Sequence, residues 1–214
     1  MATRFMSKAL ATAALGIALN LLLAETTTAS PARSNTVFAQ TSTVFDPVGD
    51  IYFRNAPAFQ DIVLGQVTKT ASGDLELLME LAGPVPVAPP LPPPGVNEIW
   101  WYWSFDLDPT TSPIGYPSTP GFAGKSEFIV YVSWNGTEFV GNAIDRRPLL
   151  TGGEAIVTPV PFSINGTIVE AFLPYELIGD VPPSFGWHLV TRDWSGPVGF
   201  GSPHTVVDVA ETVF

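Results

Sequence analysis

Beyond its first thirty residues this chain is punctuated by proline and glycine so densely that long helical periodicity is absent. There are 22 Pro and 19 Gly in 214 residues. Proline removes a backbone donor, and glycine is costly inside a helix. The apolar segments between them are short, alternate with polar residues and end in turn signals, the pattern of an antiparallel sandwich. The sequence therefore predicts an all-β, two-sheet antiparallel β-sandwich. Strands are expected near 44–54, 61–70, 74–82, 98–107, 126–134, 137–144, 154–164, 167–173, 185–194 and 204–210. A helix of one or two turns is expected only at 174–178.

Turn chemistry sharpens this picture. Asn135-Gly136 and Asn165-Gly166 each lie between apolar segments, and Asn-Gly suits the two positive-φ positions of a type I′ hairpin. Both begin glycosylation sequons, Asn135-Gly136-Thr137 and Asn165-Gly166-Thr167, although turn chemistry alone explains them. Ala71-Ser72-Gly73-Asp74 reads as a third hairpin turn. Pro84 to Gly95 holds seven prolines, so it is expected as a stiff, extended connector outside the sheets.

Alternation assigns the two faces of each strand. In the run Trp100–Leu107, the residues Trp101, Trp103, Phe105 and Leu107 form a wholly apolar parity that should face the core. Phe128, Val130, Val132 and Trp134 do the same, as do Leu75, Leu77, Met79 and Leu81, and Phe185, Trp187 and Leu189. The opposite parity is amphipathic. If these strands share a sheet, its outer face gathers Trp100, Tyr102, Tyr131 and Trp194 beside Glu80, Glu127, His188 and Arg192. Aromatic rings flanked by carboxylate and guanidinium groups suit a sugar, the rings packing on C–H groups and the charges bonding hydroxyls. Trp100, Tyr102, Tyr131, Glu80, Glu127, Arg192 and Trp194 are thus the candidate ligand-binding residues.

The first 39 residues read as a secretory signal peptide and leader. Arg4 and Lys8 precede the apolar run Ala9–Ala24, which is shorter than the roughly 20 residues a membrane span needs. Cleavage is expected after Ala29 or Ala39, leaving 40–214 as one domain that is secreted, extracellular or periplasmic. The chain has no cysteine, so an exported fold must hold without disulfides. Its formal net charge is −11. That disfavours nucleic acid and anionic membranes as partners and suits divalent cations or neutral ligands such as glycans. No membrane insertion is expected once the leader is removed.

The segment Asp46-Pro47-Val48-Gly49-Asp50, followed by Asp61-Ile62, concentrates carboxylates around one turn. Hard cations such as Ca²⁺ take six to eight oxygen ligands, which a loop of this composition can supply. Further motifs join it: the strand Gly73-Asp74-Leu75-Glu76-Leu77, the run Trp103 to Thr111 with Gly115, Gly124, Glu127 and Phe128 beyond it, and Ile168 to Pro174. Together they resemble DOMON-like and family 9 carbohydrate-binding-module-like β-sandwiches, including the glucodextranase C-terminal-type domains. The resemblance covers about residues 44–210. It implies a jelly-roll-like sandwich, bound Ca²⁺ and extracellular recognition of sugars. Asp50 and Asp61 are the first calcium candidates it gives, with Asp46 next, and Asp106 or Asp108 as a separate site. The chain departs from the family in the loop 108–115, which lacks a compact Thr-Gly pair, and at Glu127, where Asp is frequent.

Some members of that superfamily hold haem through Met with His or Lys. Here Met79 falls on the core parity and His188 on the opposite one, so haem is not expected. Nor is catalysis. Neither histidine follows a G-x-S-x-G elbow, no H-E-x-x-H occurs, and Gly199-Phe200-Gly201-Ser202 lacks the context of a phosphate loop. The expectation is a non-catalytic, calcium-stabilised module that binds a carbohydrate or cell-surface glycan through an aromatic sheet face. A structural, surface-associated protein-binding component is the alternative.

Overall fold

The computed structural model describes residues 39–51, 56–92, 95–107, 126–182, 185–194 and 204–213. The chain divides into two units, Met1–Asn35 and Thr36–Phe214. The first unit, with the expected signal peptide, lies outside the described residues, as does Asp108.

The second unit is a two-sheet antiparallel sandwich. Its strands are β1 (Gln40–Phe45), β2 (Ile62–Lys69), β3 (Leu75–Leu81), β4 (Glu98–Asp106), β5 (Phe128–Trp134), β6 (Phe139–Asp145), β7 (Ile156–Pro159), β8 (Phe162–Asn165), β9 (Ile168–Leu173), β10 (Gly186–Trp194) and β11 (His204–Val213). One sheet has the order β1-β2-β3-β9-β8, the other β11-β10-β4-β5-β6-β7. One helical turn, α1 (Tyr175–Ile178), follows Pro174 where expected.

The expected core parity is the observed one. Trp101, Trp103, Phe105, Phe128, Val130, Val132, Leu75, Leu77, Met79, Leu81, Trp187 and Leu189 are all buried in one cluster. Burial of that many large apolar side chains is the main term stabilising the fold. Sheet-to-sheet approach is close at Gly65 of β2, where an added Cβ would come within 1.8 Å of Leu189 Cδ1 on β10.

The first strand lies earlier than expected. β1 ends at Phe45, and Val48-Gly49 is a turn, with Gly49 at φ 87°. The expected strand at 154–164 is two strands in different sheets. β7 pairs with β6, β8 pairs with β9, and the chain changes sheet at Val160-Pro161. Pro159 and Pro161 explain the break, since each lacks the donor needed to continue a ladder.

The hairpins stand where expected, but their registers differ in detail. Asn165 pairs with Ile168, so Gly166 and Thr167 form the two-residue connection and Asn165 belongs to β8. Trp134 pairs with Phe139, leaving a four-residue loop. There the Asn135 side-chain oxygen accepts from Thr137 N, Thr137 Oγ1 and Glu138 N at 2.7–2.9 Å. That is a side-chain-stabilised turn. The described part of the proline segment, 84–92, forms no strand, and Leu91 packs against the core.

Candidate functional site

The carboxylates of the first loop meet a partner from the far end of the chain. Oxygens of Asp46, Asp50 and Asp208 lie within 4.8 Å of one another. Asp46 leaves β1 with its amide donating to Val63 O at 3.0 Å. Asp50 follows the Val48-Gly49 turn. Asp208 sits on β11, and its Oδ2 accepts from Ile62 N at 2.6 Å while Oδ1 accepts from Val209 N at 2.9 Å. Two backbone donors therefore fix the Asp208 carboxylate between edge strand β11 and the start of β2.

Asp61 plays a different part from the one expected. Both its oxygens accept the Gly49 N–H, at 3.2 and 3.0 Å. It holds the turn from behind and is not among the three converging carboxylates. The third member of the cluster is Asp208, which no local motif marks in the sequence.

Electrostatics are strained here. Burial, then repulsion from Asp208, Asp50 and Asp61, pushes the Asp46 carboxyl up to about 7. Burial also raises Asp208 to about 6, against the two backbone hydrogen bonds that lower it, with Asp50 and Asp61 adding repulsion. Asp46 Oδ2 is a buried oxygen without a hydrogen-bond partner. An all-oxygen set fits a hard cation. Ca²⁺–O distances of 2.3–2.6 Å put ligand oxygens on one ion no more than about 5 Å apart, which this spacing meets. A cation would relieve the repulsion and satisfy Asp46 Oδ2 together.

The aromatic candidates do come together, but inside the protein. Trp100, Tyr102, Tyr131 and Trp194 lie on the outer side of the six-stranded sheet, within a second buried cluster with Ile129, Ile144 and Val190. Trp100 stacks on Tyr131 with centroids 4.0 Å apart and on Trp194 at 4.9 Å. None of the four is more than 6 % exposed. The expectation of an open aromatic face is therefore corrected: these rings are packed and cannot receive a sugar as they stand. Residues of both parities in β5 are buried, so that strand is covered on both sides. The run Phe128–Val132, apolar without interruption, carried that signal.

The charged candidates separate. Arg192 is buried, with its guanidinium carbon 5.2 Å from the Tyr102 ring centroid. Glu127 is buried, and its Oε2 accepts from Leu107 N at 2.7 Å. His188 faces the same side, opposite Ser104, and burial, helped by Arg192, lowers its pKa to about 3. Glu80 lies on β3 in the other sheet and is not part of this group. Asp106 is buried at the end of β4. Met79 is in the central core while His188 is beyond the six-stranded sheet, so the two do not share a cavity.

Fold and site thus define a class: a two-sheet β-sandwich with a carboxylate cluster joining its first loop to its last strand. No protein-family model, curated protein or solved structure matches the chain.

Proposed function

We propose that this chain is an exported, non-catalytic β-sandwich module that binds a glycan and is stabilised by a divalent cation, calcium by the chemistry of its ligands. The convergence of Asp46, Asp50 and Asp208 carries the cation reading. Three carboxylates held this close are costly without a counter-ion, and their oxygens suit calcium better than softer metals. The glycan reading draws on the acidic balance of the chain and on its resemblance to sugar-binding sandwiches.

A cation that binds only the native state stabilises it by about 2.7 kcal/mol at a hundredfold excess over Kd, or roughly 5–10 °C in a domain of this size. Thermal unfolding with calcium and with excess chelator measures this directly. Identical melting curves would remove the cation from the proposal, and failure to bind any polysaccharide would remove the glycan.

One observation favours a second reading as a protein-binding surface component. Leu150, Ile156 and Val157 are 54–57 % exposed around the edge strand β7. Exposed apolar residues at a strand edge can pair with another chain. Light scattering on the purified protein would detect self-association through this edge, and a monomer at all concentrations would argue against a second copy as the partner.

A further inference from the structure

The outer face of the five-stranded sheet differs from that of its neighbour: it is open, and its charge is one-sided. Register sets its rows. Thr68, Glu76 and Phe172 lie side by side, and Gln66, Leu78, Glu170 and Ser163 form the next row. These residues line a groove of about 550 Å³ that runs on over Pro161 and Phe162. That volume is within the usual range of ligand sites, about 300–1,000 Å³.

Glu76 and Glu170 are diagonal neighbours across β3 and β9, and Leu78 and Phe172 occupy the other diagonal. Carboxylates and apolar groups thus alternate like a checkerboard, with diagonal partners about 7–8 Å apart. The Ser163 hydroxyl donates to Glu170 Oε2 at 2.7 Å and steadies that carboxylate. No lysine, arginine or histidine is among the described residues of the groove. The described cations are engaged elsewhere. Lys69 donates to Val181 O, Arg147 pairs with Asp145, and Arg146 and Arg192 are buried.

We propose that this groove binds an oligosaccharide bearing free amino groups. The inference rests on the glycan reading above and narrows it to a cationic glycan. Pyranose rings offer C–H faces to Leu78 and Phe172, while ammonium and hydroxyl groups donate to Glu76 and Glu170. Anionic glycans are repelled. A second copy of the chain in a two-fold contact would set glutamate against glutamate. An extended basic peptide fits less well, because the two glutamates lie on β3 and β9, which are bonded on both sides, and the edge strand at the rim, β8, is only four residues long.

Calorimetric titration of the protein with a fully deacetylated glucosamine hexamer, its N-acetylated counterpart and an oligolysine peptide tests this. The deacetylated hexamer should bind at least tenfold tighter than the acetylated one, and more weakly as salt is added. The double variant Glu76→Gln/Glu170→Gln should lose at least tenfold in affinity with an unchanged melting temperature. Glu80→Gln, on the same face outside the groove, should bind as the parent does. Equal binding of the two hexamers, preference for the peptide, or undiminished binding by the double variant would overturn the groove assignment. Retention of neither hexamer would instead remove the glycan reading on which it rests.

Discussion

At Asp46 two demands oppose each other: burial and neighbouring carboxylates favour the neutral acid, while a bound cation favours the ionised one. A pKa raised from 3.8 to about 7 means that the native state binds more protons than the unfolded chain across that window. Stability from this group is therefore greatest at the acid end and is lost as pH rises toward about 7. His188 works in the opposite sense. It is buried neutral, and it costs stability as pH falls below its ordinary value near 6.5. Comparison with Asp46→Asn in chelator separates the two. The parent's melting temperature should fall relative to the variant's between pH 4.5 and 7.5, and saturating calcium should abolish the difference in slope. A parallel pair of curves in chelator would show that Asp46 does not titrate in this range. The same variant should lose most of the melting-temperature rise that calcium gives the parent. Trp100 supports a different prediction. Its two stacked partners and burial make Trp100→Ala a stability variant, costing about 3–5 kcal/mol in denaturant unfolding. A variant as stable as the parent would mean that the stack contributes little. Asp46 and Asp50 were legible as neighbours in a carboxylate cluster because they share one turn. Asp208 was not, since nothing local distinguishes it from any acidic residue in a strand.

Strands were readable where alternation is strict, and least so where side chains other than apolar ones set the boundary. β1 ends at Phe45, ahead of the expected 44–54, because Asp, Pro and Gly in Asp46-Pro47-Val48-Gly49-Asp50 all disfavour a strand. The pair Pro159 and Pro161 likewise marked the change of sheet between β7 and β8. The closest approach between sheets gives the sharpest element-scale test. Gly65→Ala places a methyl group against Leu189 and 3.0 Å from Val44 Cγ1. Overpacking of this kind costs about 1–3 kcal/mol. Leu189→Ala leaves a cavity on its own, yet the double variant should recover at least 1 kcal/mol relative to the sum of the single changes, because each relieves the other. Strict additivity in a double-mutant cycle would place the strain elsewhere. At the other end of the six-stranded sheet, Arg147 binds both Asp145 oxygens and the carbonyls of Leu177 and Ile178. It ties the end of β6 to α1, a contact between segments that no local pattern announces.

For the molecule as a whole, the fold class was legible and the sheet membership was not. Local alternation says which way a side chain points relative to its own strand. It does not say which strands are neighbours. β3 pairs with β9 and β4 with β10, which puts Glu80 and the aromatic residues of matching parity in opposite sheets. Nor does alternation tell whether an outer face meets solvent or further protein. The Asp208–Ile62 hydrogen bond already closes a span of 146 residues in a chain without cysteine. An ion shared by Asp46, Asp50 and Asp208 would make that closure far harder to open, as a covalent cross-link does, by limiting the unfolded chain's freedom to separate its ends. No fragment lacking β11 could assemble the set. Metal affinity would thus report that β11 has docked beside the first loop, and a version truncated before residue 204 should bind calcium no better than an unfolded acidic peptide.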